Sequence, residues 1–402
     1  MGERRKIPPL ARVSSWMRKT RGRWTLVNTL VSLLWLALGL SVVPHRVCER
    51  DADAWYRGDP ETTEKLARSV SRWVDEPLDP STFATGSRRY DGEWLFGTYM
   101  MAAMGEAQTA IERPERRIEA RRRVAKAIDR LLEPGARAWD REAWGEDPID
   151  TLATTNRGHV AYLGYLGLAL GMERALGDAK HARLHDAVVA AIARRLAGPE
   201  LLETYPGEIY PVDNAAAIGA LGLHDRTTGG DHRARIARYA RTIRQKHLDR
   251  GLLVQAVGAD GRPGDRARAS GTALGAYFVS FADEDLSRDL FLALRRELYE
   301  TVLGFGAVRE YPRGATGRGD IDSGPIVLGY GVSGTGFALA PSRLFADEDA
   351  FRSIYGTVHL FGAPRVGARE TSFTTGGPLG DAILLAMLTA TRVPATLESA
   401  SR

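Results

Sequence analysis

Residues 159–176, HVAYLGYLGLALGMERAL, are followed after a three-residue break by residues 180–196, KHARLHDAVVAAIARRL. The first run carries charge only at Glu173 and Arg174 and spaces Gly164, Gly167 and Gly171 among aliphatic side chains. A helix that is apolar on every side has to be covered on every side, whereas one with a single apolar face can front water with the other. The pair therefore reads as one hairpin, with a buried inner helix and a solvent-facing outer helix.

The same alternation extends in both directions. Residues 94–111 are followed by a charged segment at 116–132, 215–227 by 233–247, 271–281 by 286–302, and 325–340 by 347–359, with a last apolar segment at 379–390. The apolar helices begin near Glu93, Gly158, Asn214, Gly271, Gly324 and Gly380, at spacings of 65, 56, 57, 53 and 56 residues. A period of this length marks stacked helical hairpins. Six units favour closure over an open solenoid, so the expected fold class is all-α, an (α/α)6 toroid. Gly329-Tyr-Gly331-Val-Ser-Gly334 matches the dinucleotide pattern G-x-G-x-x-G, but no βαβ unit surrounds it, and glycine for helix packing accounts for it.

Composition bounds the function. The 402 residues carry a formal charge of +5, with 44% hydrophobic and 26% charged residues, an ordinary globular balance. Residues 1–25 hold eight bases against one acid, Glu3, so the rest of the chain is slightly acidic. A nucleic-acid partner is not expected. Residues 26–43, LVNTLVSLLWLALGLSVV, follow that basic arm without a charge. Eighteen apolar residues approach the length of a membrane-spanning helix, and flanking basic charge holds its own side in the cytoplasm. The expected organisation is a cytoplasmic tail (1–25), a single transmembrane signal anchor (26–43) in the inner, cytoplasmic membrane, and a catalytic barrel (51–395) outside it. A cleaved signal peptide is the alternative, although the segment SVVPHRVC lacks a small-x-small cleavage pattern. Cys48, the only cysteine, excludes an internal disulfide and a cysteine metal site.

In a toroid of hairpins the loops leading into the inner helices converge on one mouth. These loops hold Tyr90, Asp91 and Glu93; Arg157 and His159; Tyr205, Glu208, Tyr210, Asp213 and Asn214; Arg266, Arg268 and Ser270; Tyr311, Arg313, Arg318, Asp320 and Asp322; and Asp381. Helix capping is the plain structural reading of each Asp, Asn or Ser. A cap needs one residue, however, and the third and fifth loops bring acids, tyrosines and arginines together. Two carboxylates of unequal pKa can divide the acid and base roles. Asp213 and Asp322 are the natural pair, with Asp320 and His159 as further catalytic candidates. Tyr210, Asn214, Glu208, Arg157, Tyr311, Arg268 and Asp91 are candidates for binding substrate. The histidines show no H-E-x-x-H or His-x-His pattern, so neither a metal nor a cofactor is expected.

Asn156-Arg-Gly-His159, continued by LGLALGMERALGD at 166–178, resembles the inner helix of the linalool dehydratase/isomerase-like proteins. Tyr205-Pro-Gly-Glu208-Ile-Tyr-Pro-Val-Asp213-Asn214 is similar to that family's next loop. The resemblance implies an α/α six-hairpin barrel. It also implies an active site built on cysteines, one of them beside the asparagine matching Asn214, where this chain has Asp213. The barrel has no thiol, so acid/base chemistry at the same place is the expectation. A membrane-anchored hydrolase or lyase acting on carbohydrate follows. A dehydratase or isomerase of a small terpenoid alcohol, or a non-catalytic envelope scaffold, are the alternatives.

Overall fold

The computed structural model describes residues 11–258 and 260–394; the first ten residues of the basic tail and the last residue of the expected barrel range lie outside the described part. The chain opens with α1 (Ala11–Cys48) and the short α2 (Ala52–Tyr56). Outer and inner helices then alternate. The first hairpin is α3 (Pro60–Asp75) with α4 (Arg88–Glu112). The second is α5 (Arg117–Leu131), a short α6 (Ala138–Trp144) and α7 (Val160–Ala175). The third is α8 (Ala182–Arg195) with α9 (Pro211–Thr228), and the fourth α10 (Arg233–Lys246) with α11 (Ala269–Val279). The fifth is α12 (Glu284–Glu297) with α13 (Val332–Phe337), which α14 (Leu339–Leu344) extends. The sixth is α15 (Glu348–Gly362) with α16 (Gly377–Leu388).

The inner helices form a closed ring. Helix α4 packs on α7, α7 on α9, α9 on α11, α11 on α13, α13 on α16, and α16 returns to α4. The expected toroid is present, with its hairpins divided differently. Each begins with its outer helix, so the wall segment that the sequence leaves unassigned is α3, ahead of the first inner helix.

The two helix types differ as their compositions require. Every residue of α9 from Pro211 to Leu223 is buried, because its neighbours cover it all round. In α12 the buried Leu286, Leu290 and Leu294 recur every fourth residue, forming one inward stripe. Glycine sets the spacing inside the ring. A Cβ on Gly164 would lie 2.7 Å from the backbone nitrogen of Ala217, and one on Gly105 would lie 2.6 Å from Leu385 Cγ.

One stretch departs from the helical reading. Residues 325–331 do not belong to the fifth inner helix. Leu328 and Gly329 both adopt positive φ, 53° and 89°, and turn strands Ile326–Val327 and Tyr330–Gly331 into a tight antiparallel hairpin. Three further short antiparallel hairpins occupy loops between outer and inner helices, at 248–253, 299–308 and 364–373. Alternation over two to four residues is too brief to stand out in a helical sequence.

Among the described residues, one helix, α1 with its continuation, is long and apolar enough to cross a membrane. Leu34 and Trp35 in that segment are exposed. Its C-terminal end packs on α15, and the His45 ring lies 6.1 Å from that of Phe305 in the 299–308 hairpin; Cys48 is buried.

Candidate active site

Capping does not explain the polar loops. Asp59, Asp283 and Asp347 cap the outer helices α3, α12 and α15, accepting from Thr62, Leu286 and Ala350 backbone N–H at 2.9, 2.8 and 3.0 Å. None of the six inner helices has a side-chain N-cap. Their N-terminal polar side chains face other partners. Helix α9 starts at Pro211, which places Asp213 inside the first turn instead of ahead of it.

Asp213 forms the floor of the mouth and is 5% exposed. The Tyr165 hydroxyl, one and a half turns into α7, donates to its Oδ1, and the Thr204 hydroxyl donates to Oδ2 at 2.6 Å. Burial pushes its pKa up to about 6, although both hydroxyls stabilise the anion. Glu93 of α4 is half-buried, and its Oε2 accepts from the Tyr205 hydroxyl at 2.8 Å. Burial, then the Asp322 and Asp213 charges, raise its pKa well above the ordinary carboxylate range. Asp322 is open to water but crowded by protein, and by Asp320 and Asp213, so its pKa is raised as well. Two inner helices and one loop, far apart in sequence, thus bring three carboxyl groups into mutual electrostatic range, at graded depths.

The surrounding residues hold this arrangement. Asp320 Oδ1 accepts from the backbone N–H of Asp322 and of Ser323, both at 3.1 Å, forming an Asx turn that sets the position of Asp322. Its other oxygen pairs with buried Arg268 and accepts from Gln255 Nε2 at 3.3 Å. Beneath them lies Glu310, fully buried, accepting from the Ser270 hydroxyl at 2.6 Å and raised to about 7 by burial. On the rim, the Tyr210 hydroxyl donates to Glu208 at 2.9 Å, and the Arg89 guanidinium stacks 4.6 Å from the Tyr205 ring centroid.

Several sequence candidates lie elsewhere. His159 is fully buried, with φ +49°, and is clamped between Asp140 (Nδ1, 2.5 Å) and Glu146 (Nε2, 3.2 Å) against Trp144. Both ring nitrogens are committed, which leaves none for a substrate. Arg157 donates to the Trp144 carbonyl at 2.6 Å in the same cluster. Asn214 clips the chain together, accepting from Leu202 N–H at 2.8 Å and donating to the Leu202 and Tyr210 carbonyls. The Tyr311 hydroxyl accepts from Gly319 N–H at 3.1 Å and so pins its own loop. Asp91 accepts from the Thr85 amide and hydroxyl at 2.8 and 2.7 Å. Asp91 and Glu93 are two residues apart on a helix and do not share a face, so fixing one to the preceding loop turns the other inward.

Glu93 is visible in the sequence but ranks there below Asp91. Tyr165, Thr204, Gln255 and Glu310 are missed. Tyr165 lies inside an apolar helix, and Glu310 follows a strand with no distinctive spacing. Only the positions of Tyr165 and Thr204 beside Asp213 mark them.

No known family model matches the chain, and no curated protein matches it. Solved structures similar to it include an unsaturated glucuronyl hydrolase from Bacillus sp. GL1, described as responsible for the degradation of glycosaminoglycan. That protein is 12% identical, with 83% of this chain and 96% of that one covered and a TM-score of 0.47. A variant of UGL with dGlcA-Glc-Rha-Glc is also similar, at 13% identity, 73% and 85% coverage, and a TM-score of 0.46.

Proposed function

We propose that this chain is a membrane-anchored, extracytoplasmic enzyme that hydrolyses or eliminates a glycosidic bond by general acid/base catalysis. The observation that supports this is the graded cluster of Glu93, Asp213 and Asp322, each raised in pKa, at a mouth whose polar groups serve no helix cap. Like charges this close titrate together, so the set retains a proton near neutrality that isolated carboxylates would lose.

Glu93 is the proton donor to the leaving oxygen, since burial and two neighbouring charges hold its proton. Asp322, open to solvent and hydrogen-bonded by no described side chain, is the base that takes the proton from water or from the sugar. Asp213, with both oxygens held by hydroxyls, supplies the fixed charge that keeps Glu93 protonated. Tyr210 and Arg89 provide flat and polar surface on the rim for a sugar ring, while buried Tyr205 holds Glu93 in place. The carboxyl, phenol and guanidinium groups gathered there favour a hydroxyl-rich glycan over a small apolar alcohol, which a hydrocarbon pocket would suit. The α1 segment with its basic arm would place the barrel on the outer side of the cytoplasmic membrane, N-terminus inside.

The test is turnover of uronate-containing oligosaccharides by the full chain in detergent, read by mass spectrometry. Glu93→Gln and Asp322→Asn should each lower kcat by about 10²–10⁴, the usual worth of a positioned acid or base. Full activity in both variants would remove the catalytic assignment.

A further inference from the structure

Away from the mouth, where α9 turns into α10, lies a second cluster of ionisable groups that the acid/base chemistry does not use. Asp213 and Asp225 are twelve residues apart on α9, so the two clusters are separated by roughly 18 Å of helix. His224 and Asp225 come from the last turn of α9, and His232 precedes α10. One donor atom from each lies within 4.8 Å of the others. His185 of α8 stands beside them, its ring 5.1 Å from that of His224.

We propose that His224, Asp225 and His232 form a structural site for a divalent transition metal of the zinc class. Four observations converge on it. First, His224 Nε2 lies 3.2 Å from Asp186 Oδ1; in the tautomer with the proton on Nε2, this carboxylate receives it and the Nδ1 lone pair is available to an ion. A carboxylate behind an imidazole in this way is the usual outer support of a metal-bound histidine. Second, His224 Nδ1 lies 4.0 Å from Asp225 Oδ1. Metal bonds to nitrogen and oxygen are about 2.0–2.2 Å long, so an ion bridges that gap with little closure. Third, Gly230 keeps the gap open. A Cβ there would lie 2.7 Å from His224 Nδ1 and 2.8 Å from Asp225 Oδ1, in the space an ion would take. Fourth, His185 is 1% exposed, and neither of its ring nitrogens has a hydrogen-bond partner among the described residues.

Asp225 already binds this turn together. Its Oδ1 lies 2.6 Å from His232 Nδ1 and its Oδ2 accepts from His232 backbone N–H at 2.6 Å. Thr228 Oγ1 lies 3.2 Å from His224 Nδ1 and completes the pocket wall. Two imidazoles and one carboxylate suit Zn2+, Co2+ or Ni2+ better than Mg2+ or Ca2+, which prefer all-oxygen sets. A bound ion would lock the end of α9 to the start of α10. It would also draw in α8 through Asp186.

Spacing hid the site from sequence reading. His224-Asp225 and His232 match no standard ligand motif, and His185 comes from a different helix. The test uses the full chain, untagged, in detergent micelles and stripped with EDTA. Titration with Co2+ is followed by visible absorption and competition with Zn2+, with the melting temperature measured in parallel. One saturable equivalent with visible d–d bands and a raised melting temperature is expected. His232→Ala and His224→Ala should weaken binding about tenfold or more. Should His224→Ala fail to fold, Gly230→Ala, which fills the gap and keeps both imidazoles, has to weaken binding similarly. Absence of one-equivalent binding, or affinity in His232→Ala and Gly230→Ala undiminished from that of the unmodified chain, would overturn the site.

Discussion

Asp213 is the buried member of the acid cluster, and its burial has a measurable consequence. An unfolded aspartate titrates near 4 and this one near 6, so the folded protein holds a proton that the unfolded chain releases. A raised carboxylate pKa contributes stability below about pH 4, and that contribution is lost as pH rises to about 6. The loss is about 3 kcal/mol over the two-unit shift. Asp213→Asn should flatten the fall in melting temperature across that window relative to the unmodified chain. It should also move the alkaline limb of the rate profile to lower pH, because Glu93 loses a neighbouring charge. An unmoved limb would detach Asp213 from Glu93. His159 gives the opposite pattern. His159→Asn keeps a residue that tolerates positive φ but strips buried Asp140 of its partner. The melting temperature should drop while kcat of the folded fraction stays within a few-fold; a loss of kcat with unchanged stability would restore His159 to the chemistry.

At the level of elements, the 311–323 loop carries the most consequence. Asp320 joins Arg268 to the turn that presents Asp322, so Asp320→Ala leaves a buried guanidinium short of its partner. Stability should fall by about 3 kcal/mol in denaturant unfolding, and activity should fall with it. The inner helices are governed by close packing. A Cβ on Gly219 would meet the Phe278 carbonyl, so Gly219→Ala should cost about 1–3 kcal/mol without changing the mouth. The sequence shows which helices are inner, because apolarity on all sides and recurrent glycine have one physical cause. It does not show where they start. Gly324 reads as a helix start, yet the chain first makes a tight hairpin at Leu328-Gly329 and enters α13 at Val332.

At the scale of the molecule, the closed ring follows from the repeat count, while the anchor rests on α1 alone. Alkaline carbonate extraction should leave the full chain in the membrane fraction, and a chain released by carbonate would contradict anchoring. The six loops were legible as a group because a toroid brings them to one mouth. Which side chains meet there was not, since that depends on helix rotation. Asp91 and Glu93 differ only in rotation, and Asn214 beside Asp213 is spent on backbone. In the proposed reading the three carboxyl groups act as one proton-sharing unit on a glycan. The most direct measurement is the pH dependence of oligosaccharide cleavage by the full chain alongside Glu93→Gln, Asp213→Asn and Asp322→Asn. A bell-shaped profile in the unmodified chain, its alkaline limb displaced by Asp213→Asn and its turnover lost in the other two, is predicted. Cleavage at unchanged rate and pH dependence in all three variants would contradict the account.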